Sequence, residues 1–333
     1  MIAKPQSFLV IQTAFIGDVI LATAVVEKLH KTYPDSSIDF LLRKGNESLL
    51  NNHPHLRGVL IWDKKKGKIK NLFKLISIVR NKKYDSIINI HRFASSGMIT
   101  ALSGARNKIG FKKNPWAFVF TRAIQHDLNA KLHEIDRNQS LIESITDKHR
   151  ELPKLYPSKT NFDTVSKFKL GTYICVAPTS VWFTKQYPAN QWVEFVKSVP
   201  MYYSRIYLLG ASTDKDVCES IRDATANDRV YNLAGQLNFL ESAALMKDAT
   251  MNYVNDSAPM HLASAMNAPV TAIFCSTVPA FGFGPLSNKS VVIESKEKLT
   301  CRPCGLHGYR ACPQKHFKCA TTIESDALLA SLQ

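Results

Sequence analysis

The chain has 333 residues and carries 43 Lys and Arg against 27 Asp and Glu, a formal net charge of +16; this length predicts two domains and excludes a small disulfide-stapled fold. Hydrophobic residues make up 45% and charged residues 21%, ordinary globular values that exclude wholesale disorder. The stretch FLVIQTAFIGDVILATAVV is interrupted by Asp18 and falls short of the roughly 18 apolar residues of a membrane span. With no export signal and an odd count of seven cysteines, the sequence predicts a cytoplasmic protein with reduced thiols, a metal site, or both.

In chain order, short apolar runs rich in β-branched residues alternate with longer amphipathic stretches, the pattern of parallel strands joined by crossover helices. The first half predicts strands over 8–12, 38–42, 59–62 and 86–90, with a helix over 19–32. The second predicts strands over 173–177, 205–209, 251–255 and 270–274, with helices over 190–199, 216–224 and 240–247. Between them the polar stretch 152–169, containing Pro153 and Pro157, shows little apolar periodicity and marks a boundary. The expectation is α/β: two doubly wound parallel-sheet domains, 1–165 and 166–333, facing a central cleft, with ligands beyond the carboxyl ends of the strands.

Charge divides unevenly between these halves. Residues 1–170 hold 29 basic and 14 acidic side chains, whereas the remainder holds 14 and 13. Most of the excess lies in the window 64–113, where 14 Lys and Arg face the single acid Asp85. Its run Lys64, Lys65, Lys66, Lys68 and Lys70 points to an anionic partner for the first domain.

Five loops carry candidate chemistry. After the first strand, Thr13-Ala14-Phe15-Ile16-Gly17-Asp18 matches neither a dinucleotide nor a P-loop fingerprint. Asp18 there either caps its helix or serves as a general base, with the helix dipole limiting its basicity. His91 and Arg92 follow the fourth strand as candidate acceptor contacts. In the second half, Pro178-Thr179-Ser180 and Lys185 offer hydroxyls and an ammonium for a phosphate. Asp256-Ser257-Ala258-Pro259-Met260-His261 starts a helix whose amino end suits an anion, and Asp214 is placed for a ribose hydroxyl. The DxD spelling Asp214-Lys215-Asp216 opens an amphipathic helix and is discounted as a metal motif.

The ordered segments IGDVILATAVVEKL, APTSVWFTKQYP, LLGASTD, LAGQLNFLESAALM and VNDSAPMHLASA, with the Pro/Cys-rich end, resemble glycosyltransferase family 9, the heptosyltransferases of lipopolysaccharide inner-core synthesis. The resemblance implies a GT-B fold, with an anionic lipid-linked glycan acceptor in the first domain and a nucleotide-sugar donor, ADP-heptose, in the second. It also implies inverting, metal-independent transfer at the inner face of the inner membrane. Asp18 matches the family's catalytic base; Thr179, Ser180 and Lys185 its phosphate loop; Asp214 its ribose position; Asp256, Ser257, Ala258 and His261 its donor-binding turn. Lys64, Lys65, Lys66, His91 and Arg92 fall to the acceptor. The chain departs from the usual pattern at Gln12, Ala258 and Val278-Pro279, where the family has Arg, Gly and Asp-Pro.

Cys301-x2-Cys304-x7-Cys312-x6-Cys319 spaces four thiols for a structural zinc or for a packed loop of reduced cysteines. Cys175, Cys218 and Cys275 lie in strand or helix patterns as small core residues. Two other readings compete with the transferase. One is a basic nucleic-acid-binding protein with a zinc module, which would need Phe93, Phe111 and Trp116 as stacking residues; the transferase reading expects no nucleic acid. The other is an inactive scaffold, which would tolerate loss of Asp18.

Overall fold

The computed structural model describes residues 6–65, 67–128 and 131–332, and the chain divides into two compact units, Met1–Tyr156 and Pro157–Gln333. The first runs β1 (Ser7–Ile11), α1 (Ile16–Thr32), β2 (Ser37–Arg43), β3 (Gly58–Trp62), α2 (Lys68–Asn81), β4 (Ser86–Asn89), α3 (Ala94–Leu102), β5 (Asn107–Phe111), β6 (Arg122–Ile124) and α4 (Glu134–Ser140). The second runs α5 (Lys159–Ser166), β7 (Tyr173–Ala177), α6 (Ala189–Ser198), β8 (Arg205–Leu208), α7 (Lys215–Thr225), β9 (Val230–Asn232) and α8 (Phe239–Lys247). It continues through β10 (Met251–Asn255), α9 (Ala258–Ala265), β11 (Val270–Phe274) and β12 (Ser290–Glu294), then α10 (Lys318–Thr321) and α11 (Ser325–Leu329).

Each unit holds a six-stranded sheet, in the orders β3-β2-β1-β4-β5-β6 and β12-β11-β10-β7-β8-β9, and every adjacent pair is parallel. The two sheets therefore share one winding, although the sequence shows no internal repeat. Winding reverses between β1 and β4 in one unit and between β7 and β10 in the other, and a crevice opens at such a reversal beyond the carboxyl ends of the strands.

The central strands follow from their apolar runs. β7, β10 and β11 are buried along their whole lengths, as a parallel sheet covered on both faces requires. One core packs Leu9, Ile11, Trp62, Leu72, Leu75, Val79 and Ile87; the other gathers Ile174, Trp192, Phe195, Leu208, Tyr253 and Ile273. β5, β6, β9 and β12 were not expected from the sequence. They are short or flanked by polar residues, and β6, β9 and β12 lie at the sheet ends or margins, where one-sided packing weakens the apolar signal. The polar stretch 152–169 is also not featureless, because it contains α5, capped by Ser158 accepting from the Asn161 N–H at 3.3 Å.

Candidate active site

At the β1/β4 reversal, α1 begins at Ile16, so Asp18 is its third residue. Its Oδ2 accepts from the Phe15 N–H at 3.1 Å, which ties down the first turn and leaves Oδ1 as the oxygen able to take a proton. Asp18 is thus both the helix-terminal group and a candidate base. The expected helix-end effect is outweighed: burial and the nearby Glu134 charge push its carboxyl up to about 6, against the lowering pull of the Phe15 N–H and Arg92.

Glu134 reaches Asp18 because α4 packs on α1. It is itself buried and pinned by Arg137 Nε at 2.7 Å and His126 Nε2 at 3.1 Å. Arg92 Nη1 lies 2.7 Å from His126 Nδ1, so a His126 that accepts from Arg92 and donates to Glu134 satisfies both contacts. Hydrogen bonding from His126 and Arg137 outweighs burial and holds the Glu134 carboxyl below its usual range, so Glu134 stays charged while Asp18 is pressed toward its neutral form.

A second chain crosses the same reversal. Lys64 Nζ donates to the Thr13 carbonyl at 2.9 Å and Thr13 Oγ1 at 3.1 Å, and Thr13 Oγ1 lies 3.2 Å from His91 Nδ1. Burial, then Arg43 and Lys68, pulls the Lys64 ammonium down to about 8. Burial beside Lys64 and Arg92 pushes His91 down to about 3, leaving it neutral. His91 is only 7% exposed, so it supports Thr13 and Lys64 from beneath, whereas Arg92 is half-buried and Lys65 is exposed. Lys66 lies outside the described residues. Gln12 is buried, its Oε1 accepting from the Ala14 N–H at 3.2 Å.

At the β7/β10 reversal, Lys185 Nζ pairs with Asp256 Oδ2 at 2.7 Å, with both side chains largely buried. Thr277 Oγ1 donates to the same oxygen at 2.6 Å. Asn255 Nδ2 donates to the Pro178 carbonyl at 2.8 Å, locking the β7 loop to the β10 loop, and Thr179 and Ser180 are half-buried within it. Ser257 precedes α9, and its hydroxyl makes no cap bond, so that helix end keeps backbone N–H groups for an anion. Ala258 and Pro259 open α9, and His261 is buried on it. Asp214 stands apart from this group: its Oδ2 accepts from the Ala211 N–H at 2.7 Å, capping its own turn.

The Pro/Cys-rich end forms a strap under this site. Arg302 donates from Nε to the Cys275 carbonyl at 2.6 Å and from Nη2 to the Thr277 carbonyl at 2.7 Å. The Tyr309 N–H donates to Thr184 Oγ1 at 2.7 Å. Gly308, with φ of +76°, sits where a Cβ would come within 2.9 Å of Lys185 Cγ and Thr184 Oγ1, so only glycine fits against the Lys185 loop. Cys301 Sγ lies 3.7 Å from His316 Nε2. Burial and the neighbouring thiols push Cys304 up, and push Cys319 up to about 11. Among the described residues no group of three or more His, Cys, Asp or Glu side chains is gathered as a metal would need. Cys175, Cys218 and Cys275 are buried.

Glu134, His126, Thr13, Thr277, Arg302 and Gly308 escaped the sequence reading. The partners of Thr13, Thr277, Arg302 and Gly308 lie far along the chain, whereas Glu134 meets Arg137 and His126 within eight residues in a stretch that no motif marks. Phe111, proposed as a stacking residue for nucleic acid, is buried with its ring edge-on to His126. Among the described residues no helix is long and apolar enough to cross a membrane.

Two doubly wound parallel-sheet units of one winding are the architecture of the GT-B class of glycosyltransferases, here with a carboxylate at one reversal and an ammonium beside a helix start at the other. The family model for glycosyltransferase family 9 (heptosyltransferase) matches residues 72–308, and the chain belongs to that family. It is 29% identical to lipopolysaccharide heptosyltransferase 3 of Escherichia coli (strain K12), over 80% of this chain and 81% of that protein. The structure of E. coli ADP-heptose lps heptosyltransferase II superposes with a TM-score of 0.81 at 21% identity, covering 98% of this chain and 97% of that one. E. coli heptosyltransferase WaaC with ADP superposes at 0.75 and 15% identity, covering 98% of each chain.

Proposed function

We propose that this glycosyltransferase moves a heptose, or a closely related sugar, from an ADP-sugar to a lipopolysaccharide inner-core acceptor. The lipopolysaccharide heptosyltransferase relative and the ADP-bound neighbour support the substrate classes. The observation that carries the reading is Asp18, a carboxylate held near 6 at the reversal of the first sheet. A base with that proton affinity is ionised at neutral pH yet still accepts a proton as the bond forms.

In this reading the first unit binds the acceptor and the second the donor. Asp18 takes the proton from the acceptor hydroxyl as its oxygen attacks the anomeric carbon, and the nucleoside diphosphate leaves on the opposite side. Configuration therefore inverts. Lys185 and the α9 amino end receive the charge developing on the diphosphate, with Thr179 and Ser180 lining the loop; Asp256 and Thr277 hold the ammonium in place. Asp214 reaches the ribose. Positioned cationic and N–H groups supply the stabilisation that a divalent ion gives elsewhere, so the transfer needs no metal.

On the acceptor side Lys64, Lys65, Lys66 and Arg92 meet the phosphorylated core, with His91 supporting Lys64 through Thr13, and the basic surface keeps the enzyme at the cytoplasmic face of the inner membrane. A structural zinc held by Cys301, Cys304, Cys312 and Cys319 would act only on the strap, and metal analysis of the purified protein tests it. Thermal-shift titration with ADP, GDP, UDP and their sugars tests the donor. Stabilisation by ADP and ADP-heptose over the others is expected, and no response to any nucleotide would remove the reading. Turnover unchanged by EDTA is the expected sign of metal independence; restoration by magnesium or manganese would overturn it.

A further inference from the structure

The helix α2 turns Leu72, Leu75, Ile76 and Val79 into the core of the first unit. That face accounts for the helix as a structural element. Three further large apolar side chains stand outside it, Ile78 at 36% exposed and, more fully, Ile69 and Phe73, 70% and 57% exposed. The spacing of four between Ile69 and Phe73 places them side by side on one flank, and Ser77 continues that flank without covering them. Exposed cations of the same helix, Lys68, Lys70 and Lys74, lie within about one turn of the pair, with Arg80 about two turns beyond Phe73. Asp85, the one acid in the window 64–113, is turned aside to Ser7, whose hydroxyl donates to it at 2.7 Å.

We infer that the Ile69–Phe73 flank of α2 inserts into the headgroup region of an anionic lipid bilayer, with the neighbouring lysines on the lipid phosphates. Apolar side chains flanked by lysine are the signature of an interfacial helix. A protein partner fits less well, because the cores of such interfaces are depleted in lysine. A second copy fits worst, because a self-paired face would set this cationic surface against itself. The inference rests on the reading of the acceptor as lipid-linked and adds the side chains by which the enzyme meets the membrane.

The test is sedimentation with vesicles of phosphatidylglycerol and phosphatidylethanolamine, and with vesicles of phosphatidylcholine alone. Wild type is expected to bind the anionic vesicles and leave the neutral ones. The variant Ile69→Ser, Phe73→Ser is expected to bind at least tenfold more weakly with an unchanged Tm. Phe73→Trp is expected to gain a blue-shifted emission over wild type on anionic vesicles only. Equal binding by the double variant would overturn the inference, since charge alone would then suffice. A concentration-dependent dimer abolished by the double variant would overturn it in favour of a second copy. With a deacylated, water-soluble acceptor the double variant should keep its kcat and KM, and with acceptor embedded in vesicles it should lose most of its turnover. Loss with both acceptors would assign the flank to glycan contact instead. Absence of transfer by wild type with either acceptor would strike the transferase reading and leave the vesicle result standing on its own.

Discussion

The two sheet reversals hold aspartates of opposite character. Asp18 sits among groups that disfavour its charge, with burial and Glu134 against it. Asp256 is clasped by Lys185 at 2.7 Å and Thr277 at 2.6 Å. One winding thus yields a carboxylate suited to taking a proton and another suited to holding a cation. Asp18 is the third residue of α1, whereas Asp256 directly follows β10, so the difference lies both in where each stands and in what the neighbouring loops supply. A site of this kind is specified by second-hand contacts more than by the reacting residue itself.

The strongest way to break the comparison is Asp18→Asn. Loss of the base predicts a fall in kcat of about 10²–10⁴-fold, with ADP-induced thermal stabilisation unchanged; a variant with near wild-type kcat would end the assignment. The same change carries a stability signature. Because the folded carboxyl is raised from 3.8 to about 6, the folded state holds the proton more tightly, and stability falls as pH rises through that interval. Asp18→Asn removes this penalty, so above pH 6 the inactive variant should melt no lower than wild type, as calorimetry would show.

Lys185→Met should come next. Removing the ammonium predicts a loss of about 10²–10³-fold in kcat and leaves Asp256 buried without its cation, so Tm should drop as well. The contrast between the two variants, one silent in stability and the other costly, sharpens the distinction between the reversals. A smaller effect is expected from Glu134→Gln. The acid limb of the kcat/KM profile, placed near 6 by Asp18, should move to lower pH once the neighbouring negative charge is gone. A limb that stays in place in a folded variant would mean that burial alone sets it.

The mildest effect concerns Lys64. Its ammonium is held at about 8, so its charge is present below that pH and lost above it. The acceptor KM should therefore rise on the alkaline side. Lys64→Arg, charged throughout, should flatten that rise, and an unchanged alkaline limb would remove Lys64 from acceptor binding.

Much of this was legible in the sequence for a physical reason. Strands buried on both faces are mainly apolar, so β7 and β11 read directly, and β10 reads from Met251, Tyr253 and Val254 although it also buries Asn252 and Asn255. The loops after β1, β7 and β10 were then candidate sites by topology alone, which brought out Asp18, Lys185 and Asp256. The outer strand β9 spans three residues and leaves no comparable run. Helix α2 was masked by its own lysines, which drew attention to charge and away from the 3.6-residue spacing of its buried face. The groups that tune the site were hidden for another reason. Thr13 meets His91 across 78 positions, and Thr184 meets Tyr309 across 125, separations at which no local pattern survives. Resemblance to a family supplied the chemistry, while the three-dimensional contacts supplied the electrostatics.

The strap after β12 has a consequence for how the protein could be shortened. The twelve strands among the described residues are complete by Glu294, so a chain cut soon afterwards would retain every one of them. It would nevertheless shed Arg302, Gly308 and Tyr309, the residues clamping the loop of Lys185. It would also open the second core, which takes Ala320, Ile323, Leu328 and Leu332 from the same tail, so trimming to the strands alone would cost stability as well as the hold on the Lys185 loop. The tail belongs to the fold of the second unit as much as the strands do.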